Sequence, residues 1–220
     1  MRLRYNAVMK YLFFDLDGTL TYSDEGITKS IVYALESLGM PRPDEKLLRA
    51  CIGPPLTDGF ARYFHLTGEQ NGLAVKKFRE RYHDVGWKEN RLIEGAKEAL
   101  LALKERGKTL AVATGKPTVF AERILSYFEI RDLFSCVAGS GLDGSCSEKR
   151  EEIAAAMNGV RASAHESAMI GDRKNDVEGA KACGIFAAGV SFGYAEEGEL
   201  ARAGADIVFD DFIQLQQYFI

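Results

Sequence analysis

Short apolar runs that alternate with amphipathic helical patterns are the feature that most constrains the fold of this chain. The first run, residues 11–14, ends abruptly in the polar segment Asp15-Leu16-Asp17-Gly18-Thr19, which is typical of a buried parallel strand followed by a loop. Similar runs recur at residues 109–114, 134–138, 167–170, 185–190 and, more weakly, 206–209. Helical patterns that stop at glycine lie between them, including one at Gly159. The sequence therefore predicts an α/β fold with a doubly wound, Rossmann-like parallel sheet.

Residues 22–90 interrupt this alternation, because they contain several helical stretches in succession and no convincing apolar strand. Ile27, Ile31 and Leu35 mark one apolar helix face. Asp44 can cap a second helix, and Thr67 with Gln70 forms a capping box for a later one. We predict a helical cap domain over residues 22–90, inserted into a core domain built from residues 1–21 and 91–220.

Composition narrows the class of protein further. The 220 residues fit one domain with an insertion, and 46% hydrophobic with 27% charged residues exclude a disordered chain. A net charge of −4 provides no overall basic field for a nucleic-acid polymer. We expect no membrane span and a cytoplasmic protein, since no apolar run approaches about 18 residues and no signal core follows the start. Four scattered cysteines are expected to be reduced thiols.

Carboxylate and hydroxyl side chains stand where several predicted strands end. These side chains, with one lysine, are Asp15 and Asp17 after the first strand, Thr114 and Lys116 at the second, and Asp172 and Asp176 after the fourth. The carboxyl ends of parallel strands meet at one edge of a sheet, where ligands bind. Carboxylates this close all stay ionised only when a cation offsets them. Oxygen ligands without a His or Cys cluster favour Mg²⁺, so the sequence predicts a magnesium site.

Four segments together resemble the motifs of the haloacid dehalogenase-like hydrolase superfamily, in the same order and spacing. They are Asp15-Leu16-Asp17-Gly18-Thr19-Leu20, Ala113-Thr114-Gly115-Lys116, Lys149, and Gly171-Asp172-Arg173-Lys174-Asn175-Asp176. The insertion resembles the helical cap of the subfamily that contains phosphoglycolate phosphatases. Further segments resemble the 5'-nucleotidase-like bacterial branch of that subfamily: Gly26-Ile27-Thr28-Lys29-Ser30, Ile52-Gly53-Pro54-Pro55-Leu56 and Gly139-Ser140-Gly141-Leu142-Asp143-Gly144.

The resemblance implies a role for each matched residue. Asp15 is the expected nucleophile, which forms an aspartyl-phosphate intermediate and binds the metal. Asp17 is the expected general acid and base, and its backbone carbonyl is expected to bind the metal as well. Thr114 and the backbone of Gly115 are expected to bind the phosphoryl oxygens, and Lys149 to neutralise charge on the phosphoryl group and on Asp15.

Two assignments in this site stay open between alternatives. Asp172 completes the expected metal shell, but Asp176 either orients a metal-bound water or holds Lys149. The basic role falls to Lys149 or to Arg150, because many relatives have a proline where Arg150 follows the lysine. We favour Lys149, since Ile153 continues from it into an apolar helix.

The function predicted from the resemblance is a Mg²⁺-dependent phosphatase that acts on a small soluble phosphomonoester, such as a 5'-nucleotide or phosphoglycolate. Gly53 and Pro54 are expected to contact the leaving group, because a rigid turn between two helices can be held at the opening of a site. A sugar phosphomutase like β-phosphoglucomutase is the alternative outcome. A non-enzymatic phosphoaspartate signalling module is disfavoured, because Asp17 supplies a base for hydrolysis. We expect a monomer or a homodimer.

Overall fold

The computed structural model describes residues 9–53, 55–143, 145–146 and 148–220. The chain divides into two compact units. The sheet unit comprises the chain up to Thr21 together with Leu92–Ile220, and the helical unit is Tyr22–Arg91. The chain passes from one unit to the other at two short strands that pair with each other, β2 (Thr21–Tyr22) and β3 (Arg91–Leu92).

The sheet unit is built on six parallel strands, which confirms the predicted α/β, doubly wound class. The strands are β1 (Tyr11–Phe14), β4 (Thr109–Pro117), β5 (Phe134–Ser140), β6 (Ser167–Gly171), β7 (Phe186–Val190) and β8 (Ile207–Phe209). Their order across the sheet is β5-β4-β1-β6-β7-β8. Each strand overlaps a predicted apolar run, but β4 and β5 continue past the predicted ends at Thr114 and Ala138, and Pro117 of β4 pairs with Ser140 of β5. β1 therefore lies in the interior of the sheet, between β4 and β6.

Helices follow the strands and bury both faces of the sheet. They are α5 (Ala96–Glu105), α6 (Thr118–Tyr127), α7 (Lys149–Val160), α8 (Lys174–Ala182), α9 (Glu199–Arg202) and α10 (Phe212–Phe219). Phe13 packs with Ile153 of α7 and Val177 of α8 in one core cluster. Leu12 and Phe14 point to the opposite face, because side chains alternate along a strand. All three β1 side chains are completely buried, so both faces are covered.

The helical unit contains α1 (Asp24–Ser37), α2 (Glu45–Ala50), α3 (Leu56–Phe64) and α4 (Gly68–Asp84), with α1 and α3 packed on α4. Asp44 caps α2 as predicted, accepting a hydrogen bond from the Leu47 N–H at 2.7 Å. The predicted capping box at Thr67 and Gln70 is wrong, because the Thr67 side chain makes no capping hydrogen bond. Gly68, the first residue of α4, has a φ of +52°, which departs from the helical geometry that a capping box requires.

The predicted end of α7 at Gly159 is also wrong, since the helix continues to Val160. A Cβ atom at Gly159 would lie 2.5 Å from the Cys136 sulfur on β5. This glycine therefore permits close packing of α7 on the sheet and does not end the helix.

Among the described helices, none combines the length and the apolar character that a membrane span requires. The cysteines Cys51, Cys136, Cys146 and Cys183 are free thiols, and burial raises the pKa of Cys51 to about 12.

Candidate active site

Three carboxylates meet at the carboxyl edge of the sheet. Asp15 follows β1, Asp172 follows β6, and Asp176 lies in the first turn of α8. Oxygen atoms of the three side chains all lie within 4.8 Å of one another. Pairing between the two strands creates this proximity, and the Asp15 N–H donates to the Ile170 carbonyl at 2.9 Å just before Asp172. The structure thus brings together the side chains of three of the four carboxylates that the sequence predicted at this edge.

The carboxylate of Asp172 is fully buried and is held from two sides. The Thr19 hydroxyl donates to Oδ1 at 3.3 Å, and the Tyr194 backbone N–H donates to Oδ2 at 2.7 Å. Burial raises the pKa of Asp172 well above its usual value, and the charges of Asp176 and Asp15 raise it further. Burial also raises the pKa of Asp176 to about 6, against the opposing effect of Lys149.

These observations agree with a site for a divalent cation. Burial and repulsion from neighbouring carboxylates raise the pKa values of Asp172 and Asp176, and a bound cation would offset their negative charge. The donors are all oxygen atoms, which matches the preference of Mg²⁺ over softer metals. Asp15, Asp172 and Asp176 would supply carboxylate oxygens, so the residues present fit the predicted ion.

The side chain of Lys149 projects into this acidic centre from the first residue of α7. Its Nζ atom lies 2.9 Å from Asp15 Oδ1, 3.1 Å from Asp176 Oδ1 and 3.1 Å from Glu152 Oε2. Burial by itself would lower the pKa of this lysine, but the three carboxylates outweigh burial and raise the pKa well above its usual value. Lys149 is therefore placed as a permanent cation beside Asp15, whereas Arg150 is exposed.

Asp17 lies outside the carboxylate cluster, because its side chain pairs with Lys116. The Lys116 Nζ atom lies 2.8 Å from Asp17 Oδ2, and the lysine side chain is only 5% exposed. Gly18 follows with a φ of +86°, and a Cβ atom there would lie 2.2 Å from Asp172 Oδ2. Only glycine fits at this position. The turn directs the Asp17 side chain away from the side chains of Asp15 and Asp172. Lys116 was predicted at the end of a strand, but no role in the site was predicted for it.

Thr114 and Gly115 lie near the end of β4, which continues beyond the predicted strand end at Thr114 to Pro117. The Thr114 side chain is buried, and its Oγ1 accepts a hydrogen bond from the Lys116 N–H at 3.3 Å. Gly115 is exposed, and its carbonyl accepts a hydrogen bond from the Ser140 hydroxyl at 2.8 Å. Ser140, which the site prediction did not include, fixes this turn from the neighbouring strand β5.

Glu152 is a further buried carboxylate that the sequence prediction missed. It lies one turn after Lys149 on α7, next to the buried Ile153, and is only 1% exposed. Burial raises the pKa of Glu152 to about 7, although the charge of Lys149 acts in the opposite direction. The available signal was an acidic residue three positions after the predicted lysine, on the face of an amphipathic helix that contacts the core.

Gly53 lies in the helical unit, between α2 and α3, with an exposed backbone and a φ of +108°. Pro54, the second residue predicted to contact the leaving group, lies outside the described residues. The proposed part of this loop in substrate selection stays a prediction.

The fold and the site define an α/β protein with an acidic centre and a buried lysine at the carboxyl edge of a parallel sheet. The family model described as haloacid dehalogenase-like hydrolase matches residues 12–190. This match covers most of the chain and all of the site. The chain belongs to the haloacid dehalogenase-like hydrolase family, as the motif resemblance predicted.

Several characterised or solved proteins are similar along nearly the whole chain. A 5'-nucleotidase of Pseudomonas aeruginosa is 41% identical over 197 residues, or 89% of each chain. The tyrosine-protein kinase PtkA of Mycobacterium tuberculosis is 37% identical over 90% of this chain and 67% of that protein. A phosphoglycolate phosphatase of Haemophilus influenzae is 32% identical over 96% of this chain and 98% of that protein.

Among solved structures, a predicted phosphatase from Clostridium acetobutylicum superposes with a TM-score of 0.91. It is 37% identical, and the match covers 96% of this chain and 98% of that one. Together with the family match, these similarities confirm the predicted enzyme class, a phosphoric monoester hydrolase.

Proposed function

We propose that this chain is a Mg²⁺-dependent phosphatase that hydrolyses a small phosphomonoester through an aspartyl-phosphate on Asp15. The observation that carries the proposal is the position of Asp15, with Lys149 2.9 Å from its Oδ1 and Asp172 and Asp176 in the same cluster. A carboxylate so placed can attack phosphorus while neighbouring positive charge offsets the phosphoryl oxygens.

The first half of the reaction uses residues at three strand ends. Asp15 attacks phosphorus, and the bond to the leaving oxygen breaks as the acyl phosphate forms. Thr114 and the Gly115 backbone bind phosphoryl oxygens, and Lys149 balances their charge. Asp15, Asp172, Asp176 and the Asp17 carbonyl are the proposed magnesium ligands. When bound, Mg²⁺ supplies positive charge that favours the in-line attack of one anion on another.

Asp17 is the proposed acid and base. It gives a proton to the leaving alkoxide in the first step and takes one from the attacking water in the second, which releases phosphate and restores Asp15. The ion pair with Lys116 favours this role, because it holds the Asp17 carboxylate apart from the metal cluster. A carboxylate already engaged by the metal could not serve as freely in proton transfer.

The proposed substrate class is a small soluble monoester, with 5'-nucleotides and phosphoglycolate as the first candidates. The names of the 5'-nucleotidase and phosphoglycolate phosphatase relatives support this choice. A sugar phosphomutase would use the same residues, and a kinase such as the PtkA relative also transfers a phosphoryl group. A cytoplasmic location, a monomer or homodimer and the absence of nucleic-acid polymer substrates stay predictions.

A phosphate-release screen tests the proposal. Purified protein, freed of metal, is incubated with 5'-nucleotides, phosphoglycolate, sugar phosphates and phosphotyrosine, with and without Mg²⁺, and products are separated to detect isomerised sugar phosphates. We expect phosphate release that requires Mg²⁺ and stops with EDTA. Full activity without metal would contradict the cofactor, isomerised product would favour the mutase, and no release from any ester would contradict the phosphatase.

A further inference from the structure

The ammonium group of Lys149 has more acceptors around it than it can satisfy. It donates to Asp15 Oδ1 at 2.9 Å and to the Ala113 carbonyl at 3.2 Å. Carboxylate oxygens of Asp176 and Glu152 each lie 3.1 Å away. An ammonium has three N–H donors, so one of these four oxygens is always left over.

Glu152 is the acceptor that the fold satisfies least. Neither of its carboxylate oxygens has a hydrogen-bond partner among the described residues, and each is shielded from water. The Oε2 contact with Lys149 is an ion pair at a distance of 3.1 Å without hydrogen-bond geometry. Its neighbour Glu151, on the same helix turn, is exposed. α7 thus carries two adjacent glutamates, of which Glu151 is exposed to water and Glu152 is buried beside Lys149.

A buried carboxylate without hydrogen bonds lowers stability, because it loses its hydration without full compensation. The helix does not need it for capping, since α7 begins at Lys149 with Glu151 also in its first turn. A lysine at the positive end of a helix is, however, unfavourably placed. The negative charge of Glu152, one turn further along α7, offsets the unfavourable placement of the lysine and attracts its ammonium group.

We infer that Glu152 is a positioning residue that holds the Lys149 ammonium in place while Asp15 is phosphorylated. The inference rests on the proposed function. When Asp15 becomes an acyl phosphate its carboxylate charge is lost, and Asp176 is a proposed magnesium ligand. Glu152 is then the one carboxylate within 3.1 Å of Lys149 that has no other role in the proposed reaction. The lysine consequently stays directed at the phosphoryl oxygens through both half-reactions.

The test is a double-mutant cycle with a matched control. Glu152→Gln keeps the shape and removes the charge, Glu151→Gln makes the same change one residue away, and each is combined with Lys149→Met. We expect Glu152→Gln to lower kcat about tenfold, a typical effect of one misplaced group, while Glu151→Gln leaves it within about twofold. In the Lys149→Met background, Glu152→Gln should have no further effect, because its action passes through the lysine.

Thermal unfolding of the same variants gives a second readout. A purely structural Glu152 would make Glu152→Gln both less stable and less active, whereas a positioning role predicts a higher Tm together with a lower kcat. Glu152→Asp, which restores the charge, should recover part of the kcat and serves as the test variant if the amide does not fold. Unchanged kcat in Glu152→Gln, or equal losses with and without Lys149, would overturn the inference. If the wild type releases phosphate from no ester, the proposed function fails, and coupling of the two residues in Tm still tests their contact.

Discussion

One ion pair in each unit shows two opposite settings for charged side chains. In the helical unit, Lys77 and Glu80 pair at the surface, with side chains 31% and 49% exposed. In the sheet unit, Lys149 and Asp176 pair with side chains only 11% and 3% exposed. Exposed pairs contribute little to stability, and buried charges are costly unless they are fully compensated. The contrast indicates that the buried charges around Lys149 are retained for chemistry, while an exposed pair such as Lys77 and Glu80 is part of the solvated surface.

The largest expected effect follows from removing the proposed nucleophile. Asp15→Asn should reduce kcat to less than about a hundredth, roughly 2.7 kcal/mol of barrier, because an amide cannot attack phosphorus. The same change in the helical unit, Asp84→Asn at the exposed end of α4, should leave kcat unchanged. Steady-state kinetics and circular dichroism of both variants make the comparison. Substantial activity in Asp15→Asn would remove this residue from the mechanism.

The second expected effect distinguishes the buried Lys116 from the surface residue Lys77. Lys116→Met should lower kcat about thirtyfold for an alkyl phosphate and much less for acetyl phosphate, because an activated leaving group needs less protonation by Asp17. Lys77→Met should affect neither substrate. The measurement is the ratio of kcat values for the two substrates in each variant. An equal loss on both substrates would mean that Lys116 does not act through the acid.

The third prediction concerns pH and stability in metal-free buffer with EDTA. In the folded protein, burial raises the pKa of Glu152 from 4.5 to about 7. Below about pH 4.5 the side chain is neutral in both the folded and the unfolded protein, so its ionisation does not lower the free energy of unfolding. Above about pH 7 it is charged in both states, and the loss of stability from burying the charge is complete. Wild-type stability should therefore fall relative to Glu152→Gln as the pH rises between these values, by roughly 3 kcal/mol. Urea unfolding at pH 5 and pH 8 measures the difference. A constant difference between the two proteins would show that Glu152 titrates normally.

The smallest expected effect lies in the helical unit. Arg81 donates to both oxygens of Glu89, at 2.8 and 3.0 Å, and is half-buried. Arg81→Gln should lower the free energy of unfolding by about 1 kcal/mol, since a bidentate and partly shielded pair is stronger than an exposed one. Lys77→Gln should have no measurable effect, and both variants should retain kcat. A loss of kcat in Arg81→Gln would break the division between structural and chemical charges.

The sequence predicted those features of the fold and site that depend on local pattern and parallel topology. The apolar run before Asp15 defines a strand, and parallel neighbours carry Asp172 to the same edge. The sequence did not predict the contacts of Lys116 and Glu152, for a different reason in each case. The direction of Asp17 toward Lys116 depends on the left-handed turn at Gly18. The burial of Glu152 depends on which face of α7 packs against the sheet, and sequence spacing alone does not determine that contact.

The sheet order also has a consequence for the synthesis of the chain. β1 pairs Tyr11 with Thr109 of β4 and with Ser167 of β6, so neither neighbour exists when β1 leaves the ribosome. The helical unit, whose packing partners α1 and α4 both precede residue 85, can form long before that. Contacts of such large sequence separation form slowly, because a long loop must close first. β1, which precedes Asp15, thus acquires its second neighbour only after β6 (Ser167–Gly171) has been synthesised, and a nascent chain arrested before that point has no assembled carboxylate centre.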